Sequence, residues 1–409
     1  MKESKLINRY IPHKVNEHLK NSTFKNQEHL IIICDMINRI SIFRKEDIDY
    51  SNQYVDIPKS YFRDIIANST SLKESMDYLK DNKIIECDGI YSKDKGKSLG
   101  YKINDEYFSK LIQVKVSKPT LTKKICSNIN KEKNLVNDKL KKYKSFFLKN
   151  FRLNYKKSLN FISNSLNSSL CGTNSIQDNI KLINKYNHMY MAINAINDGD
   201  LFFRHNKTNG RIDTNLTNLK SDLKQFISIS GMVQVDIVNS QPYILSLYLN
   251  SSLCSRNSIE NDFEKYINWT SKGVFYENFQ KEYYTQKGKL LSRKEIKDIM
   301  FCILYSKNQS YKKEKEVFKS IFPNVYDCIE KEKNTKHNQL AIKMQKLESE
   351  ICIDIICQEL DKNNINYFTI HDAWLVDKFD EIKVRQIVED CFMKKYSSIP
   401  KLKIEKITV

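Results

Sequence analysis

Arg293, Lys297, Phe301 and Tyr305 stand four residues apart in this 409-residue chain. On an α-helix of 3.6 residues per turn such a series drifts by about 40° per step, so the four line one gently winding face. Ile296, Ile299, Met300 and Ile303 form another, and Ser292-Arg293-Lys294-Glu295 is a capping-box sequence that predicts a helix from here to Ser306. Cations in the first two turns lie near the positive end of the helix dipole. There they do little for the helix but are well placed to grip a triphosphate. An amphipathic surface helix is the plainer use of the same pattern.

Two carboxylates have positions that suit metal chemistry. Asp236 lies at the end of Met232–Ile237, a short apolar run that predicts a strand, and a strand edge can hold it rigidly toward a divalent cation. Helix capping is the competing role for Asp236. Asn239 and Ser240 are better placed to cap, since Pro242 and the run through Tyr243, Leu245 and Leu249 predict a helix just after them. Asp372 follows His371 between two apolar arms, Tyr367–Ile370 and Ala373–Val376, which predict a hairpin with His371-Asp372 at its turn. A helix from Met344 to Leu360 is expected to precede that hairpin. Taken alone, His-Asp is a common dipeptide.

These elements need a scaffold, and the composition supplies one. With 40% hydrophobic residues, the chain can build two or three cored domains. The net charge of +19 costs self-repulsion unless a polyanion takes up the excess, which favours nucleic acid as partner. The apolar stretches are too short to span a bilayer, and no signal-peptide core is legible, so no membrane partner and a cytoplasmic location are expected. The ten cysteines are scattered without CxxC pairs, which predicts reduced thiols and no structural zinc.

The N-terminal part reads as helix, helix, helix, hairpin. A helix from Gln27 to Arg44 carries Leu30, Ile33, Met36, Ile37 and Ile40 on one face. A short helix through Tyr61 and Ile65 precedes one capped by Ser71 that carries Leu72, Met76, Leu79 and Ile84. Ile85-Glu86-Cys87, a turn at Asp88-Gly89, Ile90-Tyr91 and Gly100–Ile103 then predict a hairpin, which completes a winged helix. In that fold the Ser71 helix would enter a DNA groove while Lys93–Lys97 touches phosphates, and packing against protein is the alternative. Lys123–Lys157 holds twelve Lys or Arg against two acids, with Tyr143, Phe146, Phe147, Phe151 and Tyr155 interleaved. It reads as a basic helix, either a solvated face or one that tracks a phosphate backbone.

Thr208-Asn209-Gly210-Arg211, followed seven and eight residues after the Arg by Asn218-Leu219, brings these segments together. In this order, the Thr-x-Gly-Arg segment, Asp236, the Arg-x3-Lys-x3-Phe-x3-Tyr helix and the His-Asp hairpin resemble the polymerase domain of family A DNA polymerases, the bacterial DNA polymerase I type. The resemblance covers about Phe202 to Val409. It implies that Asp236 and Asp372 hold two Mg²⁺ ions and that Arg293 and Lys297 bind the nucleotide's phosphates, Lys297 being catalytic. Phe301 would lie against the sugar, and Tyr305 would stack at the template base. Arg211, Asn218, His371 and Gln345 would meet primer and template. Three residues depart from the family pattern: Gln241 stands where DNA-making members have Glu, Ala373 replaces an acid, and Ser306 replaces a Gly. The family's Glu helps to exclude a ribose 2′-OH, so Gln241 bears on the choice of sugar.

The expected fold is α+β: a winged-helix DNA-binding domain over 1–115, a basic helical linker or thumb-like region over 116–200, and an antiparallel palm with fingers over 201–409. The expected function is template-directed DNA synthesis from a primer 3′-OH, with DNA primer-template and dNTPs as partners and a specific DNA site for the winged helix. No second acidic constellation suggests a proofreading site. The architecture suits replication of a plasmid, phage or other mobile element. The alternatives are a ribonucleotide-using or primer-independent polymerase, a non-catalytic DNA-binding replication initiator, and a partner-binding protein.

Overall fold

The computed structural model describes residues 6–43, 54–94, 96–133, 140–172, 175–228, 231–253 and 261–406. Contacts divide the chain into two units: residues 1–135, 152–201 and 219–227 form the first, and 136–151, 202–218 and 228–409 the second. The expected middle region of 116–200 is therefore shared between the two units.

The first stretch contains β1 (Ile7–Pro12), α1 (His13–Lys20), α2 (Gln27–Phe43), β2 (Val55–Asp56), α3 (Lys59–Arg63), α4 (Ser69–Asp81), β3 (Ile85–Cys87), β4 (Gly100–Ile103), β5 (Leu111–Val116) and α5 (Pro119–Lys133). The apolar face of α2 is fully buried at Leu30, Ile33, Cys34 and Ile37, and Leu72 and Leu79 of α4 join the same core. Strands β2, β4 and β3 form an antiparallel sheet in that order, so α2, β2, α3, α4 and the β3–β4 hairpin follow one another as helix, strand, helix, helix, hairpin. A two-residue strand such as β2 is too short to show alternation in the sequence.

Two local expectations change in this unit. The cap of α4 is Asn68, whose side chain accepts from Ser71 N at 2.9 Å, so the helix begins before Ser71. Ile90 and Tyr91 are exposed loop residues, and the second arm of the hairpin is β4. Asp88 fixes that arm by accepting from Gly100 N at 2.9 Å. A Cβ on Gly100 would come within 2.7 Å of both Asp88 Oδ2 and Tyr54 Cβ, so the position requires glycine. Within the Lys93–Lys97 loop, Lys95 lies outside the described residues.

The chain continues with α6 (Lys141–Asn150), α7 (Tyr155–Leu170), α8 (Ile176–Asn197), β6 (Phe203–His205), β7 (Ile212–Thr214) and α9 (Ser221–Lys224). The basic segment is thus spread over α5, α6 and the start of α7, and residues 134–139 lie outside the described ones. Of its aromatics, Tyr143, Phe147 and Phe151 are core residues, and Phe146 and Tyr155 are partly buried. Tyr143 and Phe147 are buried, Tyr143 stacks on Tyr367 with centroids 4.9 Å apart, and its hydroxyl accepts from Thr369 N at 3.1 Å. The apolar stripe of α6 packs inward while its lysines face out, as an amphipathic helix requires.

The rest of the second unit comprises β8 (Met232–Ile237), α10 (Ser240–Leu253), α11 (Asn261–Ser271), α12 (Phe275–Lys287), α13 (Arg293–Tyr305), α14 (Lys312–Ile321), α15 (Pro323–Lys333), α16 (Gln339–Ser349), α17 (Cys357–Lys362), β9 (Tyr367–Ile370), β10 (Ala373–Asp377), α18 (Glu381–Tyr396) and β11 (Leu402–Lys406). A π-helical stretch, Glu350–Ile356, joins α16 to α17, so the helix expected from Met344 starts earlier and changes its winding midway. Four strands form an antiparallel sheet in the order β11-β8-β10-β9. Val235, Trp374 and Val376 are fully buried. None of the nine described cysteines is in a disulfide, and among the described residues no helix is long and apolar enough to cross a membrane.

Candidate active site

The sheet brings the two aspartates together. Ala373 pairs with Asp236 across β10 and β8, and Ile237 N donates to Asp372 O at 3.3 Å, so Asp372, in the turn just before β10, is held beside the β8 strand that carries Asp236. On the other side Lys403 of β11 pairs with Asp236. All three line an open cleft of about 550 Å³. Burial, reinforced by the negative charge of Asp372, pushes the Asp236 carboxyl up to about 7, while Lys297 and Lys403 pull against that shift.

Helix α13 supplies another wall of the cleft. Ser292 caps it in a reciprocal box with Glu295, and Ile296, Met300 and Ile303 are fully buried. At its other end, Lys333 donates to Ile303 O at 2.7 Å and Ser306 O at 3.1 Å, satisfying carbonyls that the helix leaves open. Burial pushes the Lys333 ammonium down to about 8. Arg293, Lys297 and Phe301 line the cleft from this helix. Arg293 rests on Glu277 at 2.8 Å and over the Tyr276 ring at 5.2 Å. Both members of that ion pair are about half exposed, so it is worth at most ~1 kcal/mol and is readily exchanged for a phosphate. Lys297 Nζ lies 5.7 Å from the centroid of Phe301.

The last residue of that face, Tyr305, joins a hydrogen-bonded chain. Its hydroxyl donates to Gln241 Oε1, and Gln241 Nε2 donates to Glu348 Oε2. Arg211 grips the same carboxylate, with Nε 2.9 Å from Oε1 and Nη2 3.0 Å from Oε2. The Glu348 side chain is 1% exposed. Burial and the charge of Asp372 push Glu348 upward, and Arg211 and Gln241 oppose that shift. The turn before β7 that carries Arg211 is seated on α16: Asn209 Nδ2 donates to Gln345 Oε1 at 3.2 Å, and Ser349 Oγ donates to Gly210 O. Gly210 has φ +75°, and a Cβ there would meet Ser349 Oγ at 2.9 Å, so only glycine lets the turn approach.

Of the residues singled out by sequence, Asp236, Asp372, Gln241, Arg293, Lys297 and Phe301 share one cleft. Tyr305 and Arg211 join it through Gln241 and Glu348, and Gln345 supports the turn behind Arg211. Asn218 is exposed at the end of its segment, and His371 occupies the β9–β10 turn with φ +57°, outside the lining of the cleft. Asn239 does not cap α10 as expected. It has φ +55°, and both polar atoms of its side chain are buried without a partner among the described residues.

No family model matches the sequence, and no curated protein matches it. Among solved structures the chain is similar to the POL domain of Pol1 from M. smegmatis in complex with DNA primer-template and dNTP, at 12% identity and a TM-score of 0.41. The likeness is one of fold, and it is distant. It covers 59% of this chain and 54% of the other, so the chain spans about half the length of the structure it matches.

Three residues of the site escaped the sequence reading: Glu348, Lys403 and Tyr276. For Lys403 a signal existed, because Leu402-Lys403-Ile404-Glu405 alternates as an edge strand does. Glu348 lies within a helix rich in charged residues, and only the fold makes it buried. Among the described residues no three His, Cys, Asp or Glu form a metal cluster. Two carboxylates nonetheless fit Mg²⁺, which is commonly held by one or two protein carboxylates with substrate phosphates and water completing its shell. The raised Asp236 marks the charge that such a cation would relieve.

Proposed function

We propose that the second unit is a template-directed nucleotidyltransferase, a compact DNA polymerase that adds nucleotides to a primer 3′-OH. One observation carries this reading: Asp236 of β8 and Asp372, in the turn just before β10, share a cleft with Arg293 and Lys297 of α13. Paired carboxylates opposite cations suit phosphoryl transfer, where catalysis is largely positioning and charge neutralisation. Asp236 and Asp372 would hold two Mg²⁺ ions, which when bound lower the pKa of the attacking hydroxyl and neutralise phosphate charge.

The chain's own groups do the rest. Arg293 leaves Glu277 for the triphosphate, and Lys297 neutralises the charge that develops on the departing pyrophosphate. Each four-residue step along α13 advances about 6 Å. That spacing carries contacts from phosphate at Arg293 and Lys297 to sugar at Phe301 and to the base step at Tyr305. Arg211, Asn218, His371 and Gln345 serve the primer and template strands.

In the first unit we propose a winged helix that binds a specific DNA site. Its element order supports this, as do Lys73 and Lys80 exposed on α4. Such a module tethered to a small polymerase suits the replication of a plasmid, phage or mobile element. One observation favours a second reading, ribonucleotide use: Gln241 stands where the resemblance puts the Glu that helps to exclude a ribose 2′-OH. The test is extension of a labelled primer on DNA with Mg²⁺, with dNTPs or rNTPs supplied singly. Addition only of the nucleotide that matches the template supports the reading, and no addition from either set removes it.

A further inference from the structure

Asn239 is the residue of the cleft whose side chain the fold leaves unexplained. It directly precedes α10, a helix of 14 residues, and its main-chain oxygen accepts from Tyr243 N at 2.9 Å. An asparagine at that place ordinarily adopts an extended backbone and turns its side chain back to cap the helix. Here the backbone is left-handed, with φ +55°, and the side chain caps nothing. The residue is 5% exposed, yet both Oδ1 and Nδ2 lack a partner among the described residues. A left-handed turn alone would be met by glycine at lower cost, so the backbone does not account for the carboxamide.

Its surroundings indicate a ligand. Asn239 lines the same cleft as Asp236, three residues before it, and as Arg293, Lys297 and Lys403. The N-terminus of α10 adds positive potential at the same place. A group that satisfies both orphaned atoms must offer an acceptor to Nδ2 and a cation or polarised water to Oδ1. A polyphosphate chelated to a divalent cation offers both.

We infer that Asn239 binds the metal-chelated triphosphate of the incoming nucleotide, its amide nitrogen donating to a phosphate oxygen and its oxygen serving the cation's hydration. The inference rests on the nucleotidyl-transfer reading of the cleft and deepens it.

The test is Asn239→Gly in the full chain, because glycine keeps the left-handed turn and removes only the carboxamide. Mg²⁺–dATP is titrated calorimetrically into both proteins, and thermal unfolding reports folding. The expected result is affinity at least about tenfold weaker with an unfolding temperature at or above that of the wild type, as the loss of a hydrogen bond to a charged group implies. Unchanged affinity in a folded Asn239→Gly protein would overturn the inference, leaving Asn239 a turn residue. Asn239→Asp adds a second arm: it should bind Mn²⁺ alone more tightly than wild type, and unchanged Mn²⁺ affinity counts against the assignment. Primer extension is run alongside. Weakened nucleotide binding without wild-type extension sinks the polymerase reading alone, whereas wild-type extension with unchanged binding in the variant sinks this inference alone.

Discussion

Arg211 and Glu348 meet in a two-pronged ion pair in which the carboxylate is 1% exposed and the guanidinium 19%. One partner sits on the turn before β7 and the other near the end of α16, and Gln241 donates to the same carboxylate. Removing one member of such a pair strands a buried charge, which typically costs about 3–5 kcal/mol. Glu348→Ala should therefore lower the urea midpoint strongly. Arg211→Ala combined with Glu348→Ala should cost clearly less than the two single changes added together. Strict additivity would show that the two side chains are not coupled in solution.

The same chain of hydrogen bonds fixes the orientation of Gln241. A carboxylate only accepts, so Glu348 takes the amide N–H, and the amide oxygen faces Tyr305. Gln241→Glu alone would set two carboxylates against each other and should bind nucleotide poorly. Adding Glu348→Gln restores one donor and one acceptor, now with the carboxylate at 241. The double variant should favour dNTPs over rNTPs about tenfold more than wild type does, measured as the ratio of kcat/KM values. An unchanged ratio would remove Gln241 from sugar selection.

Much of this arrangement was legible in the sequence, for definite reasons. The four-residue spacing from Arg293 to Tyr305 and the Ser292–Glu295 box describe a helix on their own, and the apolar arms around His371-Asp372 describe a hairpin. These signals are local. Glu348 and Lys403 become parts of the site only when α16 packs against α10 and α13 and β11 pairs with β8, and nothing in a linear pattern reports those juxtapositions. Tyr143 and Phe147 read as a side able to pack, and they do pack, but the sheet they pack against, through Tyr367 and Thr369, is not legible in a linear pattern. Asn239 reads as a helix cap by residue type, and only its φ and its unpartnered amide exclude that role.

The raised Asp236 has a consequence for pH. Its folded value, about 7, lies above the ordinary carboxyl value of 3.8, so between those two pH values the folded chain holds a proton that the unfolded chain releases. Metal-free protein should lose stability as pH rises from about 4 through about 7. Asp236→Asn should flatten that decline and be the more stable protein at pH 8. Mg²⁺ should recover stability above pH 7 in wild type only. Thermal unfolding across pH checks all three, and a decline that persists in Asp236→Asn would assign it to another group.

For the first unit the expectation concerns salt. If α4 lies along DNA, replacing exposed Lys73 and Lys80 with Glu should weaken duplex binding by the full chain and reduce the slope of log affinity against log salt by about one for each phosphate no longer neutralised. Fluorescence anisotropy with labelled duplex between 50 and 200 mM salt, roughly the range over which phosphate binding responds, measures both quantities. Unaltered affinity and slope would leave α4 free to pack against protein.

The proposed chemistry requires Asp236 and Asp372 to act together at one reaction centre. The most direct measurement is extension of a labelled primer on a DNA template with Mg²⁺, comparing wild type with Asp372→Asn at matched folding and matched DNA binding. The expected result is template-matched addition by wild type and its loss in the variant with DNA affinity retained. Extension by Asp372→Asn at the wild-type rate would contradict it.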